Sequence, residues 1–124
     1  MAEGLAELIQ RFNPGARASV AVRHNGTLYF AVTPKSPIDP ALSAAEQAVQ
    51  LFEKADERLA MGGTSKSGLL FVAILLADMA DYDAVNRVWD AWIDPKAPPS
   101  RACFQARLAS PEMKVEMIMI SATG

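Results

Sequence analysis

Arg101 and Glu116 stand in two β-forming runs near the end of the chain, "RACFQARL" and "KVEMIMIS", where a plain core strand would carry an aliphatic side chain. An arginine offers a planar fork of donors that grips a carboxylate through two hydrogen bonds. A partly buried glutamate holds or activates a water as a general base. Together they would describe a site that holds a small carboxylate and adds water to it. A structural ion pair or two unrelated surface charges would use the same residues, and spacing alone leaves those readings open. Alternation puts Arg101, Cys103, Gln105 and Arg107 on one strand face and Ala102, Phe104 and Ala106 on the other. If the two closing strands pair as a hairpin, its register decides whether Arg101 and Glu116 share a face.

The other reactive residue types offer less. Cys103 is the single cysteine, and with no histidine expected beside it the simpler reading is a small core thiol. His24, the only histidine, sits beside an Asn-Gly turn and reads as solvated, so no His/Cys cluster of the kind zinc requires is available and no metal is expected. Trp89 and Trp92 fall on a helical apolar stripe with Val85 and Val88, which makes them core residues rather than a stacking platform. Asn86 lies just off that stripe and is placed equally well to cap a loop or to reach a cleft.

The elements that must position these residues can be read in order. Leu5, Leu8, Ile9 and Phe12 recur at helical spacing, predicting a short helix over Ala2–Phe12 stopped by Pro14 and Gly15. "ASVAVRHNGTLYFAV" places two β-rich runs around Asn25-Gly26, the signature of a tight type I′ hairpin. Three prolines between Thr33 and Pro40 enforce a loop. "SAAE" at Ser43–Glu46 is a capping box, followed by an apolar stripe of Ala48, Leu51, Phe52, Ala55 and Leu59 and ended by Gly62-Gly63. "GLLFVAILLA" is apolar on both faces, as a strand in the interior of a sheet must be. Asp81 is expected to cap a second helix that closes before Pro95. The predicted order is hairpin, helix, strand, helix, hairpin, which implies an α+β sheet with both helices on one face. On the last strand Val115, Met117 and Met119 oppose Glu116, Ile118 and Ile120, so the face without helices is also apolar and predicts self-association.

Composition bounds the rest. A chain of 124 residues with 51% hydrophobic content reads as one domain over 1–124. Twelve Lys and Arg against fourteen Asp and Glu, interspersed, give a net charge of −2 with no basic block, which disfavours a nucleic-acid surface. "MAEGLAELIQRF" lacks the pattern of a secretory signal, and no apolar run approaches the ~20 residues that span a bilayer. A soluble, cytoplasmic protein is the expectation.

A family resemblance sharpens these readings. "PPSRACFQARLASPEMKVEMIMISA" resembles the carboxyl-terminal signature of the Rid (reactive intermediate deaminase) or YjgF-like family, here Pro99, Arg101, Cys103, Leu108, Val115, Glu116, Met117 and Ala122. "LLADMADYDAVNRVWDAW" resembles the family's strand, acidic turn and helix, with Asn86 at the helix asparagine, and "HNGTLYFA" its first hairpin; the likeness covers about residues 17 to 122. It implies a chorismate-mutase-like mixed sheet and a homotrimer with clefts at the subunit boundaries. Active members hydrolyse enamines and 2-imino acids to 2-keto acids and ammonia, without a bound cofactor. By position, Arg101 would grip the carboxylate, Glu116 would position water, and Cys103, Asn86 and Ala31 would line the ligand.

The chain also departs from the family pattern. Ala18 stands near the place of a tyrosine found in deaminating members, and Phe30-Ala31-Val32 replaces a Thr-Ser-Gly stretch. A non-catalytic trimer that binds a small carboxylate through Arg101 is therefore the alternative to a deaminase. An RNA-directed activity, which the acidic balance disfavours, stands third.

Overall fold

The chain runs through β1 (Gln10–Phe12), β2 (Ala21–His24), β3 (Thr27–Val32), α1 (Ala44–Met61), β4 (Leu69–Leu76), α2 (Tyr82–Trp92), β5 (Ser100–Gln105) and β6 (Val115–Ala122). This is a computed structural model, and it describes residues 4, 5 and 8–124. The strands form one mixed sheet in the order β1-β2-β3-β6-β4-β5. Its first turn follows the Asn-Gly signal: Asn25 (φ 51°) and Gly26 (φ 75°) both adopt the positive φ of a type I′ turn, and His24 pairs with Thr27 across it.

The amino-terminal expectation changes here. Gln10–Phe12 is a strand paired with Ala21–Arg23, so the helix expected over Ala2–Phe12 does not reach its predicted end, and residues 1–3, 6 and 7 lie outside the described residues. A stripe of four residues is a weak helix signal. The unpaired edge of β2 offers this segment a ladder of hydrogen bonds instead.

Helix α1 starts at the capping box. The Ser43 hydroxyl accepts from the Glu46 amide at 3.1 Å, and the Ser43 amide donates to the Glu46 carboxylate at 2.9 Å. The helix ends in a Schellman motif, with the Thr64 amide on the Leu59 carbonyl at 2.9 Å, the Gly63 amide on the Ala60 carbonyl at 3.0 Å, and Gly63 at φ 79°. Its stripe of Ala48, Leu51, Phe52, Ala55 and Leu59 packs with Leu28, Phe30 and Val32 of β3, Val115, Met117 and Met119 of β6, and Val72, Ile74 and Leu76 of β4. Burying each of the larger side chains contributes about 1.5–3 kcal/mol.

The closing hairpin does not form. β5 pairs parallel with β4 at the sheet edge, while β6 is inserted antiparallel between β3 and β4. A parallel pair needs a crossover, and α2 supplies it between β4 and β5. At the head of α2, Asp81 occupies the cap position without a capping hydrogen bond. Asp78 does the capping one turn earlier, accepting from the Ala80 amide at 2.9 Å. Val85 and Trp89 of α2 are buried, with Val88 and Trp92 packed partly against the same core.

Both helices therefore cover one face, as the apolar stripes predict. The opposite face is open, and its middle row runs Ala31, Ile118, Ala73 and Ala102 across four strands. Tyr29, Phe104 and Ile118 are exposed there.

Candidate functional site

The register settles where the five candidate residues lie. Arg101 is level with Val72 and Cys103 with Ile74, and both of those β4 side chains belong to the core under the helices. Arg101 and Cys103 therefore point to the helix side of the edge strand. Glu116 is level with Leu75, whose β5 neighbour is the exposed Phe104, so Glu116 stands on the open face. Ala31 is level with Ile118, two residues from Glu116 on the same side, and is exposed. Asn86 is half-buried on α2, one turn before Trp89. The candidates thus divide into Arg101, Cys103 and Asn86 on the helix side, and Glu116 and Ala31 on the other.

Two strand spacings and three residues of strand separate Arg101 from Glu116, roughly 14 Å between backbones with the sheet intervening. No side-chain rotation within one copy brings a guanidinium and a carboxylate together across that barrier. Arg101 lies at the sheet edge, however, and Glu116 on an uncovered face.

Arg101 is half-buried, with its guanidinium carbon 5.0 Å from the centre of the Trp89 ring. Among the described residues it forms neither an ion pair nor a hydrogen bond, so all five of its N–H donors remain available. The Cys103 thiol is held above its ordinary range by burial, while the positive charge of Arg101 pulls it partly back. A thiol whose largest influence is desolvation is a poor nucleophile at neutral pH. The reading of Cys103 as a small packed side chain fits this, and leaves its backbone as the part able to meet a ligand.

Of the residues that depart from the family pattern, Phe30 and Val32 are buried under the helices, and only Ala31 reaches the open face. Ala18 is exposed in the loop before β2. Among the described residues no group of three or more His, Cys, Asp or Glu is placed to hold a metal ion, and no helix is long and apolar enough to cross a membrane.

Two residues that the sequence pattern did not mark as part of a site shape this region. Trp89, read as core, is core and also the platform under Arg101. Gln47 is fully buried on α1, where its side chain donates to the Glu112 carbonyl at 2.9 Å and accepts from the Lys114 amide at 2.8 Å. It ties the β5–β6 loop to the helix layer. Its signal was a glutamine one position ahead of Ala48, within an apolar stripe. That loop, through Pro111 and Met113, borders a hollow of about 670 Å³ that also meets Gln105 and Arg107. Arg101 is not among the residues that line it.

The family model described as "Endoribonuclease L-PSP" matches residues 8–123. A "RutC family protein" of Haemophilus influenzae is 43% identical over 114 residues, covering 91% of this chain and 97% of that protein. The crystal structure of NMB1025, a member of the YjgF protein family from Neisseria meningitidis, superposes with a TM-score of 0.87 at 37% identity, covering 94% of this chain and 95% of that one. A "3-aminoacrylate deaminase RutC" of Acinetobacter baylyi is 32% identical over 78 residues, covering 63% of this chain and 61% of that protein.

Proposed function

Because this chain belongs to the YjgF/RutC family, whose family model is described as endoribonuclease L-PSP, we propose that it hydrolyses 2-imino acids and their enamine tautomers to 2-keto acids and ammonia. The observation that carries this reading is Arg101: a half-buried arginine over the Trp89 ring whose donors are unspent among the described residues. Such a group is built to receive a planar carboxylate from outside the chain. The relative named as a 3-aminoacrylate deaminase supports the same class of reactive nitrogen compound.

In this reaction Arg101 holds the substrate carboxylate beside the C=N carbon. Glu116 accepts a proton from water as the water oxygen bonds to that carbon. The C=N electron pair moves to nitrogen, which takes that proton back from Glu116 to give a carbinolamine; the carbinolamine hydroxyl then passes its proton through Glu116 to the amine nitrogen as the C=O bond forms, the C–N bond breaks and ammonia leaves. Since Arg101 and Glu116 face opposite sides of the sheet, the working site is assembled from two copies, Arg101 from one and Glu116 from the next. A closed homotrimer provides three such sites. The apolar row of Ala31, Ile118, Ala73 and Ala102 is the surface that this assembly buries.

The test generates 2-imino acids in place with an amino-acid oxidase and follows their loss by semicarbazide trapping. Wild-type protein speeds the loss, and neither Arg101→Ala nor Glu116→Gln does. Mixed and reassembled, the two inactive variants recover part of the activity, because some interfaces then join an intact Arg101 to an intact Glu116. Full activity in Glu116→Gln refutes the general-base role. No acceleration by wild type, with 2-keto acid binding that Arg101→Ala removes, favours the non-catalytic carboxylate binder, for which the Phe30-Ala31-Val32 departure is the motivating observation.

A further inference from the structure

We propose that Trp89 is the positioning residue for Arg101: its indole face orients the guanidinium for a carboxylate without consuming any of the donors that the carboxylate needs. The proposal rests on the reading of Arg101 as the carboxylate clamp and adds the device that makes the clamp effective.

An arginine side chain has substantial rotamer entropy to lose on being fixed, and a ligand that must fix it binds correspondingly weakly. Proteins commonly restrain such a side chain with an acidic partner. Here that solution would defeat the purpose, because a neighbouring carboxylate would occupy the same fork and compete with the ligand. Arg101 has no such partner among the described residues; what it has is the Trp89 ring, 5.0 Å from the guanidinium carbon. A ring face attracts the cation through its quadrupole and leaves the in-plane N–H groups pointing outward.

A platform is useful only if it does not move, and Trp89 is anchored on several sides. It is 6% exposed. Its ring meets Phe52 edge-on at 6.0 Å and 61°, and Trp92 at 6.0 Å and 60°. Phe52 and Trp92 are themselves stacked at 4.4 Å and 15°, and the Trp92 indole N–H donates to Asp56 at 3.1 Å. Three side chains from two helices, Phe52, Asp56 and Trp92, thus hold the plane on which Arg101 rests. Pairs of this geometry contribute beyond their buried area, so the cluster holds Trp89 more firmly than a lone tryptophan on the helix.

Trp89→Leu keeps apolar bulk and removes the ring face, whereas Trp89→Phe keeps a smaller ring. If the indole restrains Arg101, Trp89→Leu weakens binding of pyruvate by roughly 3- to 30-fold, the range of a cation–π contact, and raises KM for the 2-imino acid more than it lowers kcat. Trp89→Phe recovers most of that loss. Folding of each variant is checked by circular dichroism and urea denaturation.

A second readout does not depend on Trp89→Leu folding. Trp92→Phe leaves Trp89 as the single tryptophan. Its emission should change on titration with pyruvate, and Arg101→Ala in that background should abolish the change. A folded Trp89→Leu with wild-type pyruvate affinity and wild-type KM, while Arg101→Ala loses both, overturns the positioning role and leaves the clamp standing. Unaltered Trp89 emission when calorimetry shows pyruvate bound overturns it equally. If Arg101→Ala itself binds and turns over like wild type, the clamp reading has failed, and this inference with it.

Discussion

Replacing Gln47 with leucine tests whether the β5–β6 loop is held by the two hydrogen bonds that Gln47 makes. Leucine nearly matches glutamine in size, so no large cavity opens, but the Glu112 carbonyl and the Lys114 amide both lose their partner. Each orphaned group costs about 1–3 kcal/mol if it stays dry. Glu112 is exposed and Lys114 half-buried, so water can reach the loop and reduces both penalties. The extra apolar burial of leucine returns about 1 kcal/mol. The net expectation is a loss of roughly 2 kcal/mol. At a urea slope of about 2 kcal/mol/M this lowers the unfolding midpoint by about 1 M. The assay is equilibrium urea unfolding followed by tryptophan emission, at one fixed protein concentration because association shifts apparent stability. Native-state hydrogen exchange should show the Lys114 amide losing protection first. An unchanged midpoint with an unchanged Lys114 exchange rate would refute the assignment of Gln47 as the tie between helix and loop.

Ser43→Ala removes half of the capping box and should cost about 1 kcal/mol, read from the same urea transition. The Glu46 carboxyl is held below its usual range, first by the Ser43 amide and then by the Ser43 hydroxyl. The stability it contributes is present above the ordinary carboxylate range and is lost as pH falls through the lower folded-state value. Unfolding between pH 5 and 3 should therefore be less pH-dependent in Glu46→Gln, which removes the titrating group, and an unaltered dependence would dismiss the box as a stabilising feature. Cys103 should react slowly with iodoacetamide at pH 8 and continue to accelerate beyond pH 9, because burial raises its thiol. Arg101→Ala should slow it further by removing the charge that favours thiolate; faster reaction in that variant would contradict the placement of Arg101 beside Cys103. Ile118→Lys puts a charge in the middle of the open apolar row and should shift the protein to smaller species in sedimentation velocity. Identical sedimentation with wild type would show that this face is not the interface.

Much of the fold is legible because its signals are local and agree with each other. The Asn-Gly turn, the Ser43–Glu46 box and the Gly62-Gly63 stop are each specified by residues within five positions, and each takes the predicted geometry. The two helical stripes reveal one covered face, and the alternation along β6 separates its sides as expected. The amino-terminal strand was not legible, since its identity depends on the edge of β2 more than on its own sequence.

The candidate site was only half legible, and the reason lies in β6. Its residues were readable one by one, but whether Arg101 and Glu116 meet depends on which strands are neighbours, and proximity in sequence pointed to the wrong pairing. A stronger signal was present in composition. β6 is apolar on both sides, with Val115, Met117 and Met119 facing Ile118 and Ile120, whereas β5 carries Arg101 and Gln105 on a single strand. A strand that is apolar on both sides apart from Glu116 at its start gains most from an interior place with neighbours on both edges, and a strand with charged and polar side chains spread along it is better tolerated at the rim. Ranking the strands that way puts β6 inside and β5 at the edge, which makes a parallel crossover through α2 the remaining way to attach β5 to β4. With Arg101 level with Val72 and Glu116 level with Leu75, three residues apart on β4, the two then fall on opposite faces. Two motif residues on opposite sides of one sheet cannot form an ion pair within one copy, which is why the proposed reaction draws Arg101 and Glu116 from different copies.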